Sequence, residues 1–388
     1  MTKLHRRDFI KASLFGGLAA ATIPSYAMDI LAEQTIVNVN TTPRVSLVTG
    51  GDRADMAFRA LQPLSNEIAQ AIGNKRILIK PNLVSSTIPL ASTHKETIEG
   101  ILEFYKSINK LDNIIGIGEC AADGPTMAAY ETYGYIPIAA KYKVKLIDFD
   151  AEPSVPLWLM SERDLRPHRL RMSALVMDPN NFIMSVARMK THDRIIATLT
   201  FKNIAVGAPI KDIGFTFGRD RAAGAVTDKS IVHGDGFRGI NYNLFIIAHN
   251  FRPNLGFIDG YDGMEGNGPT GGTVVDHRVC VAGLDWISVD RVGIELMGFD
   301  PATFGYLNFC YEAGMGQYDL SKIQVIGEKV SDHIKSYRRP IQYDRMLEWM
   351  TPIQRSGQVQ YGPGGGGAPG GGGTAGGNNN PNRSNNNP

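Results

Sequence analysis

Short apolar runs recur along the chain at RVSLVTG (44–50), RILIKPN (76–82), NIIGIGEC (113–120), KVKLIDFD (143–150), NFIMSVARMK (181–190), NLGFIDG (254–260), RVCVAGLD (278–285) and KIQVIGE (322–328). Their length, branched side chains and polar or Gly boundaries predict buried strands. Between them ADMAFRALQPLSNEIAQAIG, KETIEGILEFYKSINK and WISVDRVGIELMG carry apolar residues every three to four positions, which predicts helices with one buried face. Alternation of the two patterns predicts an α/β fold: a mainly parallel open sheet with helices on both faces and Gly-rich ligand loops at the carboxyl ends of the strands. The Arg-rich piece ERDLRPHRLRM (162–172) reads as an exposed hairpin or insertion, and no internal repeat is evident.

The polar residues fall where such a fold binds ligands. RILI is followed by Lys80, Pro81 and Asn82; IIGIG by Glu119, Cys120 and Asp123; VKLI by Asp148 and Asp150; IMSVARM by Lys190 and His192; LGFI by Asp259; and VCVAGL by Asp285. In open α/β sheets the loops converge beyond the carboxyl ends, so these residues are expected on one rim. The spacing of Lys190 and His192 aims both to one face of a strand. A helix over DRIIATLTFKN would then bring Lys202 and Asn203 back to that rim or place them at a helix end. Lys80, Asn82, Lys202 and Asn203 are the candidate anion-binding set, for a carboxylate or phosphate, with His192, Lys190 and Asp259 as candidate catalytic residues.

DGYDGMEGNGPTGG (259–272) sets Asp259, Asp262 and Glu265 among glycines and reads as a ligand loop, with Gly268 and Pro269 at its tip. Asp259 and Glu265 of this segment, with Asp290 of the later GLDWISVD, are the candidate metal ligands. The segment lacks the Gly-Lys-Ser/Thr ending of a Walker loop and the EF-hand spacing, and GIGEC is not a dinucleotide fingerprint. Neither a G-x-S-x-G elbow nor an H-E-x-x-H helix occurs, and His192, His233, His249 and His277 are too scattered in sequence to form a metal set.

Charge and cysteine content narrow the partners. Lys plus Arg number 40 against 38 Asp plus Glu, so no broad basic surface or nucleic-acid partner is implied. Cys120, Cys280 and Cys310 include no C-x-x-C pair, so no self-contained iron-sulfur cluster is expected; one disulfide or three buried thiols both fit. The start, HRRDFIKASLFGGLAAATIPSYAM, places Arg6 and Arg7 before an apolar run ending in a small-x-small triplet, and resembles a twin-arginine export signal. Its removal lowers the formal charge from +2 to −1, since Lys3, Arg6, Arg7 and Lys11 leave with Asp8. The expected location is the bacterial periplasm, reached through the twin-arginine machinery, in preference to anchoring by an uncleaved signal. Passage in the folded state would allow a cofactor loaded in the cytoplasm.

LIKPNLV (78–84), MKTH (189–192), TFKNIAVG (200–207), IDGYDGMEGNGPTGG (258–272) and GLDWISVD (283–290), with EAGMGQYD near the end, together resemble the bacterial and archaeal family called domain of unknown function 362. The resemblance spans about residues 75–316. It implies Lys80, Asn82, Lys190, His192, Lys202, Asn203, Asp259, Gly268, Pro269, Asp285 and Asp290 as motif positions, and supplies no reaction. Some relatives carry ferredoxin-like cysteine clusters, which this chain lacks.

The expected organisation is a signal at 1–27, a linker at 28–43, an α/β domain at 44–335, an extension at 336–361 and a disordered Gly/Asn-rich tail at 362–388. Three readings stay open: an enzyme or cofactor-holding protein for a small anion, with a divalent metal among the candidate cofactors; a non-catalytic periplasmic binding or accessory protein; and an envelope protein tethered by its tail. A redox or envelope protein is the expected partner.

Overall fold

The structure is a computed structural model that describes residues 42–217 and 220–351. The segment expected to act as an export signal, nearly all of the linker and the Gly/Asn-rich tail lie outside the described residues. No helix among the described residues is long and apolar enough to cross a membrane.

Every predicted apolar run forms a strand. The strands are β1 (Arg44–Thr49), β2 (Arg76–Lys80), β3 (Ile114–Glu119), β4 (Leu146–Asp148), β5 (Ser154–Met160), β6 (Pro167–Ser173), β7 (Asn181–His192), β8 (Ile196–Thr198), β9 (Leu255–Asn267), β10 (Gly271–Gly283) and β11 (Gln324–Gly327). The main sheet has the order β11-β1-β10-β9-β7-β2-β3-β4, with β8 paired to β7. β1, β2, β3, β4, β7, β9 and β11 run one way, and only β10 and β8 run against them. β5 and β6 form a separate antiparallel pair, which contains the Arg-rich piece.

The pleat sorts side chains onto two covered faces. Ile77, Ile79, Phe182, Met184 and Val186 pack with the helices Arg53–Leu61, Ser65–Ile72 and Lys95–Ser107. Leu78, Ile183, Ile258 and Val281 pack with the helices Thr200–Gly207, Phe237–Asn250 and Trp286–Leu296. All twelve residues of the central strand β7 are buried, as a strand covered on both faces requires. The described part of the C-terminal extension packs on this body through buried Tyr337, Tyr343 and Met346.

Two local expectations change. DRIIATLTFKN is not one helix: Ile196–Thr198 turns back on β7 as β8, and the helix begins only at Thr200. The Gly-rich segment is not an open loop either. Asp259–Asn267 continues β9, and residues 271–276 pair with it in register, leaving a turn at Gly268–Thr270. β10 therefore runs backwards, which carries Asp285 to the opposite end of the sheet, where it caps the helix Trp286–Leu296 by accepting from the Ile287 and Ser288 amides.

Candidate functional site

Chain order reverses between β2 and β7: from β2 the sheet grows through β3 and β4 to one edge, then resumes on the other side of β2 with β7, β9 and β10. A crevice at such a switch point is the favoured ligand site of an open α/β sheet. A cleft of about 850 Å³ opens there, lined among others by Asn82, Glu119, His192, Lys202, Lys229 and His233.

Lys80, the last residue of β2, lies beneath this cleft and is fully buried. Its ammonium donates to Glu119 Oε2 at 2.8 Å, to the Pro81 carbonyl at 2.8 Å and to Asn203 Oδ1 at 3.2 Å. Three acceptors satisfy its three protons. Burial lowers its pKa, with Glu119 opposing. Glu119 also accepts from the Leu83 and Cys120 amides, each at 2.9 Å. Asn203 ties the strands together, accepting from Asn82 Nδ2 at 2.9 Å and donating to Ser185 Oγ at 3.0 Å. Gly207 makes room for the lysine, because a Cβ there would stand 2.3 Å from Lys80 Nζ. Lys80, Asn82 and Asn203 thus form one network, in which Asn82 Oδ1 alone keeps no hydrogen-bond partner among the described residues.

Lys202 differs. It is 4% exposed, lines the cleft, and has no hydrogen-bond or ion-pair partner among the described residues. Burial lowers its pKa to about 7; Asp193 opposes this, and Lys229 and Lys80 reinforce it. Lys229, also buried, donates to the carbonyls of Val206, Gly207 and Pro209 at 3.2, 3.2 and 2.9 Å, so it closes the C-terminal end of the helix Thr200–Gly207.

Two imidazoles complete the wall. His192 and His233 stack with ring centroids 6.2 Å apart and planes 23° from parallel. His192 Nδ1 accepts from the Arg194 amide at 3.0 Å, so its neutral ring carries the proton on Nε2. His233 Nδ1 donates to the Lys229 carbonyl at 2.8 Å, so its Nε2 keeps a lone pair. Burial and then the charge of Lys202 hold His192 well below the usual imidazole range and lower His233 to about 4. Both rings are neutral at pH 7.

The other predicted residues lie elsewhere. Lys190 does not line the cleft; it is fully buried and donates to the Ala91 carbonyl at 2.5 Å, with its pKa pushed far down by burial and by Lys202. Asp259 is fully buried between Arg53 and Arg188, at 3.0 and 3.2 Å, and also accepts from Thr97 Oγ1 at 2.8 Å. Burial would raise its pKa, but the two guanidiniums more than offset this and lower it. Asp262 pairs with the same two arginines. Glu265 accepts from the Arg338 amide at 2.9 Å. Asp290 accepts from the Thr200 amide at 2.7 Å and the Phe201 amide at 3.2 Å, capping that helix. The predicted metal set of Asp259, Glu265 and Asp290 is therefore dispersed, each carboxylate held by its own partners. No group of three or more His, Cys, Asp or Glu residues among the described residues is arranged to hold a metal ion.

The turn at Gly268 and Pro269 does reach the site. The Asp193 amide donates to the Gly268 carbonyl at 2.9 Å, and Pro269 lines the cleft. A Cβ on Gly268 would stand 1.9 Å from the Thr191 carbonyl oxygen, so only glycine lets the turn lie on the end of β7.

The sequence reading passed over His233, Lys229 and the arginines around Asp259. In sequence His233 is one of several scattered histidines; it reaches His192 only because the helix Lys229–Val232 packs against the helix Thr200–Gly207. The arginines left a fainter signal, since Arg188 shares the alternating spacing of Lys190 and His192. The three cysteines are buried and free; Cys120 lines the cleft and donates to Asp150 Oδ1 at 2.8 Å.

Comparison with known proteins places this geometry. The chain is 23% identical over 233 residues to Thylakoid-associated protein sll1697 of Synechocystis sp., covering 59% of this chain and 64% of that protein, just under two thirds of the relative's length. No solved structure matches significantly. The family described as Domain of unknown function (DUF362) matches residues 77–295, from the start of β2 to the end of the helix Trp286–Leu296, which is more than half of the chain and encloses the cleft with nearly all of its walls. The protein belongs to the DUF362 family.

Proposed function

We propose that the cleft at the β2/β7 switch binds a small anion, a carboxylate or phosphate group, and that the protein acts on the molecule carrying it. One observation carries this reading: Lys202 is a buried amine on the cleft wall with no ion-pair or hydrogen-bond partner among the described residues, Asp193 acting on it only from beyond contact. Elsewhere in the fold Lys80, Lys211, Arg53 and Arg188 each meet a carboxylate, and Lys190 and Lys229 meet carbonyls. An uncompensated buried ammonium is costly, and an anionic ligand removes that cost. His192 would offer its Nε2 proton and His233 its Nε2 lone pair, which favours chemistry over passive holding.

Calorimetric titration with sulfate, phosphate and acetate tests the reading. Binding by the wild type that is lost in Lys202→Met supports it; equal affinities in both remove it.

The Arg6–Arg7 segment supports export through the twin-arginine machinery to the periplasm. Replacing both arginines by lysine should retain precursor in the cytoplasm, and normal delivery of that variant would dismiss the proposal. The thylakoid association in the relative's name supports seeking a redox or envelope partner protein.

A further inference from the structure

We propose that Lys202 is a covalent attachment point, condensing as an imine with a 2-oxo acid held in the cleft. The inference rests on the anion-site reading and names its substrate class.

Five lysines are buried among the described residues: Lys80, Lys190, Lys202, Lys211 and Lys229. Four are committed. Lys80 has three acceptors, Lys190 a carbonyl, Lys211 the Asp150 carboxylate and Lys229 three carbonyls. A lysine so held has neither a free lone pair nor freedom to approach an electrophile. Lys202 alone of the five has no partner, and it faces a space large enough for a small metabolite. A nucleophilic amine must also be neutral, and burial beside Lys229 and Lys80 leaves much of Lys202 in that form near pH 7.

The two histidines supply the proton movements. The Lys202 nitrogen attacks the carbonyl carbon, forming an N–C bond while the carbonyl π pair moves onto oxygen, which the His192 Nε2 proton stabilises by a hydrogen bond. His233 Nε2 carries one proton from the new ammonium centre to that oxygen, giving a carbinolamine. A second proton, taken from solvent through the same imidazole, lets the hydroxyl depart as water as the nitrogen lone pair closes the C=N bond. One amine, one carbonyl and one proton give one iminium and one water, with no oxidant or reductant. Both imidazoles line the same cleft as Lys202. The product keeps a positive charge at that nitrogen, so a carboxylate adjacent to the former carbonyl remains paired. That pairing selects a 2-oxo acid over a neutral aldehyde.

The test uses the full chain incubated with pyruvate and sodium cyanoborohydride, followed by intact-mass measurement and peptide mapping, beside sulfate titration of the same samples. The expected result is a single 1-carboxyethyl adduct on Lys202, formed faster as pH rises through about 7. Lys202→Arg should give no adduct at this position while the exposed lysines keep their background labelling. If Lys202 is labelled no more than exposed lysines while the wild type binds sulfate, the imine is wrong and the anion site stands. Absence of both labelling and sulfate binding overturns both. Selective labelling without sulfate binding upholds the imine and restricts the anion site to carboxylates. The wild-type peptide map decides even if the arginine variant fails to fold.

Discussion

Lys80 Nζ and the Glu119 carboxylate meet at 2.8 Å, with neither side chain more than 2% exposed. Lys202, beside them, has no such partner, and the two lysines should answer the same substitution oppositely. Lys80→Met leaves Glu119 buried without its cation and is expected to destabilise the fold by about 3–5 kcal/mol. Lys202→Met removes a buried amine that has no ion-pair partner and should leave the empty protein as stable as the wild type or more so. Urea denaturation of both variants checks this. A large loss in Lys202→Met would show that the amine has a structural partner.

Asp259 should behave as a structural acid. Its pKa is lowered by Arg188 and Arg53 against the effect of burial, so its contribution to stability is present above the ordinary aspartate value of 3.8 and is lost as pH falls below it. Asp259→Asn leaves two buried guanidiniums with only the partly exposed Asp262 between them and should cost roughly 2–4 kcal/mol at neutral pH. Thermal unfolding between pH 2 and pH 6 should show part of the wild-type acid sensitivity missing in the variant. Added Mg²⁺ or Mn²⁺ should produce no Asp259-dependent rise in melting temperature, because the arginines already occupy the carboxylate.

Asp290 gives the opposite pH signature. Burial raises its pKa from 3.8 to about 7, despite three hydrogen bonds from Thr200 and Phe201. The folded state then binds the proton more tightly than the unfolded state between those values. The stabilisation is full below 3.8 and fades as pH rises to about 7. Asp290→Asn should flatten stability against pH over that window. An unchanged slope would mean that the carboxylate is already ionised throughout it.

The apolar runs made all the main-sheet strands except β8 legible, because a strand buried on both faces must be nearly continuous in Val, Ile and Leu. The polar ends of β2, β3 and β7 likewise pointed to the rim that now holds Lys80, Glu119 and His192. Direction was harder to read. Asp285 follows an apolar run as Lys80 does, yet β10 runs backwards, and the only local sign was the NGPTGG turn signal before it. Pairing was not legible at all: sequence spacing cannot show that Lys80 meets Glu119 while Lys202 meets nothing. Asp259 and Asp290 were read as metal ligands because a carboxylate near glycines or a helix start looks the same before its arginines or amides are known. His233 is separated from His192 by two helices, and only tertiary packing makes them neighbours.

Lys202, with no ion-pair partner in the cleft wall, is proposed to receive an anion. Sulfate keeps its charge throughout the neutral range, so its affinity reports the lysine alone. Calorimetric titration from pH 6 to pH 9 should show binding accompanied by proton uptake and weakening above about 7, where the empty site loses its ammonium. Lys202→Met should weaken binding by roughly ten- to a hundred-and-fifty-fold, the loss of one charge-assisted hydrogen bond of about 1.5–3 kcal/mol. Affinity that ignores pH across this range and survives the substitution would mean that Lys202 does not hold the anion.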